Sequence, residues 1–126
     1  MKYSVVFSSK TGNTQQLANA ITSLLPESDL IYFGPPSECA LQADRFYIGF
    51  WTDKGHCNAE IADFLKHLKG KDIFLFGTAG FGGSAEYFKK ILTAVENYID
   101  SSNTVIGSYM CQGRMPQSVR ERYIKM

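Results

Sequence analysis

The chain has 126 residues, with 13 basic and 12 acidic side chains, a formal net charge of +1 and 44% hydrophobic residues. A chain of this length buries about two-thirds of its unfolded surface as one domain, so we predict a single domain over residues 1–126. The balanced charge argues against nucleic-acid binding, and the ordinary hydrophobic fraction argues against disorder.

The cysteines indicate a reducing compartment. Cys39, Cys57 and Cys111 are odd in number, and none shares the short spacing of metal or redox motifs with another. No apolar run is long enough for a signal peptide or a membrane span. We therefore expect a cytoplasmic monomer that holds no metal and binds neither nucleic acid nor a membrane.

Apolar runs alternate with helical patterns along the whole chain. Strands are predicted at residues 3–7, 30–33, 46–51, 73–76 and 104–110. Helices are predicted at residues 14–25, 61–68 and 87–99, with a fourth beginning near Pro116. The second crossover, residues 34–44, predicts only a turn or a short helix. This alternation predicts an α/β fold with a parallel sheet between helices, and ligands of such sheets bind at the carboxyl ends of the strands.

The loop after the first strand favours a phosphate group. Residues 8–14 read Ser-Ser-Lys-Thr-Gly-Asn-Thr and lead directly into a predicted helix. A simple helix cap needs one such polar residue, whereas this loop holds five within seven positions. Hydroxyls and the unpaired N–H groups of a helix N-terminus together suit an anion. The loop matches neither the P-loop nor the dinucleotide-binding glycine pattern.

Two further loops favour a flat ligand beside that phosphate. The third strand is followed by Trp51, whose ring is able to stack on a planar group or simply to cap the core. Gly55, in the same loop, permits a backbone turn that other residues resist. The loop after the fourth strand, residues 77–83, has four glycines and displays Phe81. Close backbone approach and one aromatic ring together suit a planar cofactor.

These three loops resemble those of the flavodoxin family, and the resemblance spans nearly the whole chain. The family's phosphate motif, Thr/Ser-x-Thr-Gly-x-Thr, is matched by Ser9, Thr11, Gly12 and Thr14. The resemblance implies a three-layer sandwich whose five-stranded parallel sheet has the order 2-1-3-4-5, with helices on both faces. It also implies bound FMN and a low-potential electron carrier that serves a redox partner protein, either a reductase or an electron acceptor.

The resemblance implies a set of cofactor-binding residues at the three loops. Trp51 and Phe81 are the candidates to flank the flavin ring, and the Lys54–Gly55 peptide is the candidate to turn its carbonyl toward the ring on reduction. The full set is Ser9, Lys10, Thr11, Gly12, Asn13, Thr14, Trp51, Thr52, Asp53, Lys54, Gly55, Thr78, Ala79, Gly80, Phe81 and Gly82. No catalytic residue is predicted.

Other interpretations remain open at this stage. A reductase of the same fold that oxidises NAD(P)H would need a nicotinamide site, and a module that has lost flavin would bind another ligand or partner. A receiver domain would carry aspartates where Ser8 and Ser9 stand. The Cys39-x5-Arg45 spacing matches a phosphatase loop, but it leads into a strand rather than a helix. Cys57 is predicted at a helix start, where its thiol pKa would fall unless the residue is an ordinary buried cysteine.

Overall fold

The computed structural model describes residues 1–9, 12–53, 56–79 and 85–112, and these ranges hold six strands and three α-helices. In chain order they are β1 (Tyr3–Phe7), α1 (Asn13–Thr22), β2 (Leu30–Gly34), β3 (Arg45–Asp53), β4 (His56–Cys57), α2 (Ala59–Leu65), β5 (Asp72–Ala79), α3 (Ala85–Glu96) and β6 (Thr104–Gln112). Short 3-10 helices at Glu27–Asp29 and Glu38–Gln42 precede β2 and β3. No helix in the described ranges has the length and apolar character needed to cross a membrane.

The sheet confirms the predicted strand order. Its path is β2-β1-β3-β5-β6, with every neighbouring pair parallel, and β5 and β6 are the fourth and fifth predicted strands. The two-residue strand β4, which was not predicted, pairs antiparallel with the end of β3. Two residues are too few to show a periodic pattern, so only the tertiary pairing reveals this strand.

Three strands, β3, β5 and β6, extend further than the apolar runs predicted. β1 ends at Phe7, which lies in one row across the sheet with Gly49, Phe76 and Tyr109. β3 continues for four residues beyond this row, and β5 and β6 each continue for three. Thr52 and Asp53 therefore lie in β3, and Thr78 and Ala79 lie in β5, where loops were predicted. Trp51 lies in β3, within the strand predicted at residues 46–51. Polar residues enter these strands because the ladder partners, rather than side-chain hydrophobicity, satisfy their backbone groups.

Helices cover both faces of the sheet, as predicted. On one face, α1 packs through Leu17 and Ile21 in a buried cluster with alternate residues of β1. On the other face, α2 and α3 pack in a second cluster with residues such as Phe46, Ile48 and Phe50 of β3. Successive strand residues point to opposite faces, so the nearly continuous apolar run of β3 follows from burial on both sides.

All three α-helices end before the last residue of the apolar pattern from which each was predicted. Behind each α-helix the chain continues in turns whose N–H groups bond to the carbonyl three residues back, including Leu25 to Thr22, Leu68 to Leu65 and Ile99 to Glu96. Such 3-10 turns keep side chains near the helix face while ending the α-helical bonds. The predicted ends at 25, 68 and 99 therefore mark the turns, and α1, α2 and α3 themselves end at Thr22, Leu65 and Glu96.

The crossover between β2 and β3 contains the short helix that was predicted there. The Ser37 hydroxyl caps the 3-10 helix Glu38–Gln42 by accepting the Cys39 N–H at 3.2 Å. Cys39 lies within this helix and Arg45 begins β3, so the Cys-x5-Arg stretch does not form a phosphatase loop. The fourth predicted helix, beginning near Pro116, lies outside the described residues.

Candidate functional site

The N-terminus of α1 presents backbone donors at the carboxyl edge of the sheet. Gly12 occupies the N-cap in a left-handed conformation, with φ 90°, and no side chain caps the helix from that position. The Ser9 hydroxyl oxygen accepts the N–H groups of Gly12 at 3.0 Å and of Gln15 at 3.4 Å. Among the described residues, the N–H groups of Asn13 and Thr14 have no acceptor. These donors and the positive end of the helix dipole suit an anion.

Thr14 connects this helix start to the two neighbouring strands. Its side chain is buried, and its hydroxyl donates to the Phe50 carbonyl oxygen of β3 at 3.3 Å. The Thr14 hydroxyl oxygen also lies 3.0 Å from the hydroxyl oxygen of Thr78, a buried residue of β5. The structure thus brings together two predicted site residues that are 64 positions apart in the chain.

Trp51 and Thr52 lie on the part of β3 that extends past β1. Trp51 is half-buried and pairs in register with Thr78, so the tryptophan and the start of α1 lie at the same edge. Thr52 pairs with Cys57, and Asp53 pairs with His56, where β4 turns the chain back. Ala79 ends β5 as a buried residue. Strand order reverses between β1 and β3, which is where α/β sheets of this kind bind ligands.

Three buried polar atoms where β3 meets β4 have no hydrogen-bond partner among the residues that the structure describes. They are the hydroxyl oxygen of Thr52, Nδ1 of His56 and Oδ1 of Asn58. Asn58 is the N-cap of α2, yet its side chain makes no capping bond although only 4% of the residue is exposed. A buried polar atom that truly lacks a partner costs about 1–3 kcal/mol. Asn58 was not among the predicted residues, although an Asn before an apolar helical pattern is a recognisable cap signal.

The cysteines near the site are unreactive by burial. Cys57 lies in β4 and not at a helix start as predicted, because α2 begins two residues later at Ala59. Burial raises the thiol pKa of Cys57 to about 11, and burial raises that of Cys111 in β6 to about 11 as well. Both thiols therefore remain protonated near neutral pH, and neither is an activated nucleophile.

Of the remaining predicted site residues, two lie at the start of α1 and seven lie outside the described residues. Gly12 and Asn13 are half-buried at the start of α1, beside Ser9. Lys10, Thr11, Lys54, Gly55, Gly80, Phe81 and Gly82 lie outside the described residues. The described residues fit FMN in chemistry, because anion donors at α1 and a half-buried tryptophan on β3 share one edge of the sheet. When bound, FMN would supply one-electron redox chemistry at this edge.

A doubly wound α/β fold with an anion-binding helix start at the strand switch point defines a class of nucleotide-binding proteins. Comparison with known proteins narrows this class. The flavodoxin domain family matches residues 4–126. A relative, the flavodoxin-like domain-containing protein BilS of Clostridium symbiosum (strain WAL-14163), is 41% identical over 143 residues, covering 100% of this chain and 75% of that protein. The chain belongs to the flavodoxin family, as the sequence motif predicted.

Solved structures agree on the fold. Oxidised flavodoxin 2 from Bacillus cereus is similar with a TM-score of 0.76 at 19% identity, covering 99% of this chain and 93% of that chain. A flavoprotein from Lactobacillus acidophilus NCFM, solved in complex with FMN, has a TM-score of 0.64 at 16% identity, covering 86% of this chain and 92% of that chain. These similarities show the fold, and membership of the flavodoxin family supports FMN as the cofactor.

Proposed function

We propose that this protein is an FMN-binding electron carrier that shuttles electrons to or from a redox partner protein. The observation that carries the proposal is the start of α1, where Ser9, a left-handed Gly12 and two N–H groups with no acceptor among the described residues form a cradle for an anion. Residues of β3 and β5 meet this cradle at the strand switch point, so one ligand with a phosphate and a planar ring is able to span both parts.

Each part of the chain has a separate task in this proposal. Ser9 and the N–H groups of Asn13 and Thr14 hold the phosphate, and Trp51 covers one side of the ring. Residues predicted from the family resemblance complete the site, with Phe81 on the ring and the Lys54–Gly55 carbonyl near the position that gains a proton on reduction. The protein tunes and shields the cofactor and supplies no acid–base residue of its own.

The setting of this carrier is also a proposal. We infer one domain over residues 1–126, which works as a monomer in the cytoplasm and docks transiently on a reductase or an electron acceptor. The formal net charge of +1 gives little long-range attraction for a strongly charged partner.

Reconstitution with FMN tests the proposal directly. The purified protein is mixed with FMN, desalted and examined by visible absorption, and flavin fluorescence gives the dissociation constant. We expect a yellow protein with one FMN per chain, which after photoreduction passes electrons to cytochrome c. A colourless protein that takes up no added FMN overturns the proposal. Oxidation of NAD(P)H without any partner protein shows instead a reductase of the same fold.

A further inference from the structure

The outer edge of β2 combines exposed apolar side chains with negative charge. β2 is an end strand of the sheet and pairs with β1 alone among the described strands. We propose that this edge docks a partner protein whose contact surface places lysine or arginine side chains around an apolar residue. The β2-edge surface, as we name it, is formed by Leu24, Glu27, Asp29, Ile31 and Glu38. The proposal goes beyond the proposed function, because this contact needs no bound flavin.

The apolar part of the β2-edge surface lies on the segment that leads from α1 into β2. Leu24 is 45% exposed and Ile31 is 38% exposed. The register of the β1–β2 ladder shifts at Ile31, because its neighbour Leu30 pairs with Tyr3 while the residue after it pairs with Ser4. A five-residue edge strand with a bulge favours little further strand pairing. Side chains, rather than the open backbone, therefore supply the contact.

Negative charge surrounds these apolar side chains. Residues 11–44 hold four acidic residues and no Lys, Arg or His, so the net charge of +1 conceals an acidic stretch. Glu27 and Glu38 are exposed and form no ion pair with a described residue. Asp29 lies 3.6 Å from the Lys2 amine, which also donates to the Ser28 carbonyl oxygen. Lys2 thus offsets one of these charges, and the β2-edge surface stays negative.

The acidic side chains flank β2 at two places. Glu27 and Asp29 belong to the 3-10 helix that leads directly into β2. Glu38 belongs to the 3-10 helix Glu38–Gln42, which packs on the sheet because the Ser4 hydroxyl donates to the Ala40 carbonyl oxygen at 2.9 Å. Ser4 pairs with β2, so this helix lies beside the same strand. An apolar centre with a charged rim is the usual anatomy of a protein interface.

Charge selects the occupant of the β2-edge surface. A second copy of this chain would place the same acidic groups opposite one another in a twofold contact, which is unfavourable. Nucleic acids and anionic membranes are negative as well. A basic protein surface is complementary to both the rim and the apolar centre. Glu27 and Asp29 lie at the start of β2, away from the carboxyl ends of the strands, so a partner held here leaves the proposed flavin site open.

Cytochrome c is a suitable probe, because lysines surround its apolar haem edge. The full chain as purified is labelled with ¹⁵N and titrated with reduced cytochrome c at low ionic strength. Amide chemical shifts locate the contact, and calorimetry gives the dissociation constant. We expect the largest shift changes in residues 24–38, with the start of α1 and the end of β3 unchanged. Ile31→Thr and the pair Glu27→Gln/Glu38→Gln should each weaken binding by about fivefold.

Matched variants elsewhere on the protein serve as controls. Val105→Thr changes an apolar side chain that is 36% exposed on the other end strand, β6. Glu60→Gln/Glu96→Gln removes two exposed acidic groups from α2 and α3. Both controls should bind cytochrome c within about twofold of the native protein, since interface energy is concentrated in few residues. At about 300 mM salt, native protein and Glu27→Gln/Glu38→Gln should bind equally, because salt screens the rim charges.

Four results would overturn the proposal. They are no binding of cytochrome c, shift changes centred on the carboxyl edge of the sheet, equal losses in the control variants, and a native dimer that Ile31→Thr dissociates. The titration is repeated after FMN has been added, and we expect the same contact. A protein that takes up no FMN contradicts the proposed function, whereas the contact with cytochrome c is still measured on the same chain.

Discussion

Two glycines with positive φ lie at opposite ends of the sheet. Gly12 has φ 90° at the start of α1, and Gly70 has φ 64° before β5. At both positions the space that a Cβ would occupy is open within 4 Å. A side chain at either position therefore meets backbone strain and no steric clash. Gly12 lies in the proposed anion site at the start of α1, whereas Gly70 lies before β5, so the two glycines are a matched pair for testing the site.

We expect Gly12→Ala and Gly70→Ala to lower the free energy of unfolding by a similar amount, about 1 kcal/mol each, because alanine resists the left-handed conformation. Only Gly12→Ala also weakens FMN binding, since it shifts the N–H groups at the start of α1. Urea unfolding gives the stability and flavin fluorescence gives the affinity. A loss of FMN affinity in Gly70→Ala would indicate that global destabilisation, rather than the cradle, controls binding.

A second residue-scale feature is the exposed carboxylate of Asp100. It accepts hydrogen bonds from the Ser102 hydroxyl and N–H and lies 3.1 Å from the Lys69 amine. The Ser102 side chain, the Ser102 backbone and then Lys69 lower the pKa of Asp100 to about 2. A lowered pKa stabilises the folded state above the ordinary carboxyl value of about 4, and that stabilisation is lost as the pH falls toward 2.

Asp100→Asn is therefore expected to lower the melting temperature at pH 7 and to match the native protein near pH 2. Melting temperatures measured from pH 2 to pH 7 test this difference. Ser102→Ala removes the largest cause of the shift and should show a smaller loss with the same pH profile. A gap between Asp100→Asn and the native protein that does not narrow in acid would contradict this account.

At the scale of elements, glycine and phenylalanine fit together across neighbouring strands. Gly49 pairs with Phe76, and Phe50 pairs with Gly77. A Cβ on Gly77 would lie 2.4 Å from the Phe50 ring and 2.8 Å from the Met110 sulfur. The ring of Phe50 thus occupies the space that a side chain on β5 would need, and the two strands pack closely just below Trp51 and Thr78.

Gly77→Ala is expected to destabilise the protein by about 2 kcal/mol, because Phe50 is fully buried and has little room to move. Urea unfolding measures the change. Gly107→Ala is the control, since its Cβ would lie 2.9 Å from Phe74, a half-buried ring with more room to shift. Adding Phe50→Leu to Gly77→Ala should restore part of the packing, so that the pair is less destabilised than the sum. Equal losses at Gly77 and Gly107 would contradict this interpretation.

The elements show how far apolar patterns predict structure. The predicted strand starts lie within one residue of the observed ones, and the predicted order of elements was correct, because burial on both faces imposes apolar residues there. The predicted ends of β3 and β5 were wrong because Thr52 and Thr78 enter the ladder through backbone bonds, which leave no pattern in the side chains. The helix ends were wrong because 3-10 turns keep apolar residues such as Leu68 buried beyond the last α-helical bond.

At the scale of the whole molecule, FMN binding and folding are linked. The proposed site draws on α1, β3 and β5, so the ligand binds the folded chain and not the unfolded one. FMN at one hundred times its dissociation constant then adds about 2.7 kcal/mol to the free energy of unfolding. For a domain of this size, that corresponds to a rise in melting temperature of about 10 °C.

Thermal unfolding with and without flavin measures this rise. Riboflavin at the same concentration should give a smaller shift, since it lacks the phosphate that the start of α1 holds. Gly12→Ala should reduce the FMN shift and leave the riboflavin shift nearly unchanged. Equal shifts from the two flavins would show that the helix start contributes nothing to affinity.

The amino-acid sequence by itself determined the fold class, the strand order implied by the flavodoxin motif and the loop that begins α1. Burial and helix starts favour particular residue types at particular spacings, which can be recognised from the sequence alone. The hydrogen bonds between polar groups distant in the chain were decided by the tertiary structure alone. It paired Thr14 with Thr78, folded His56 and Cys57 into β4, and buried Cys57 two residues before α2 begins. Those outcomes depend on contacts between residues distant in the chain, which the spacing of residues in a local sequence pattern does not predict.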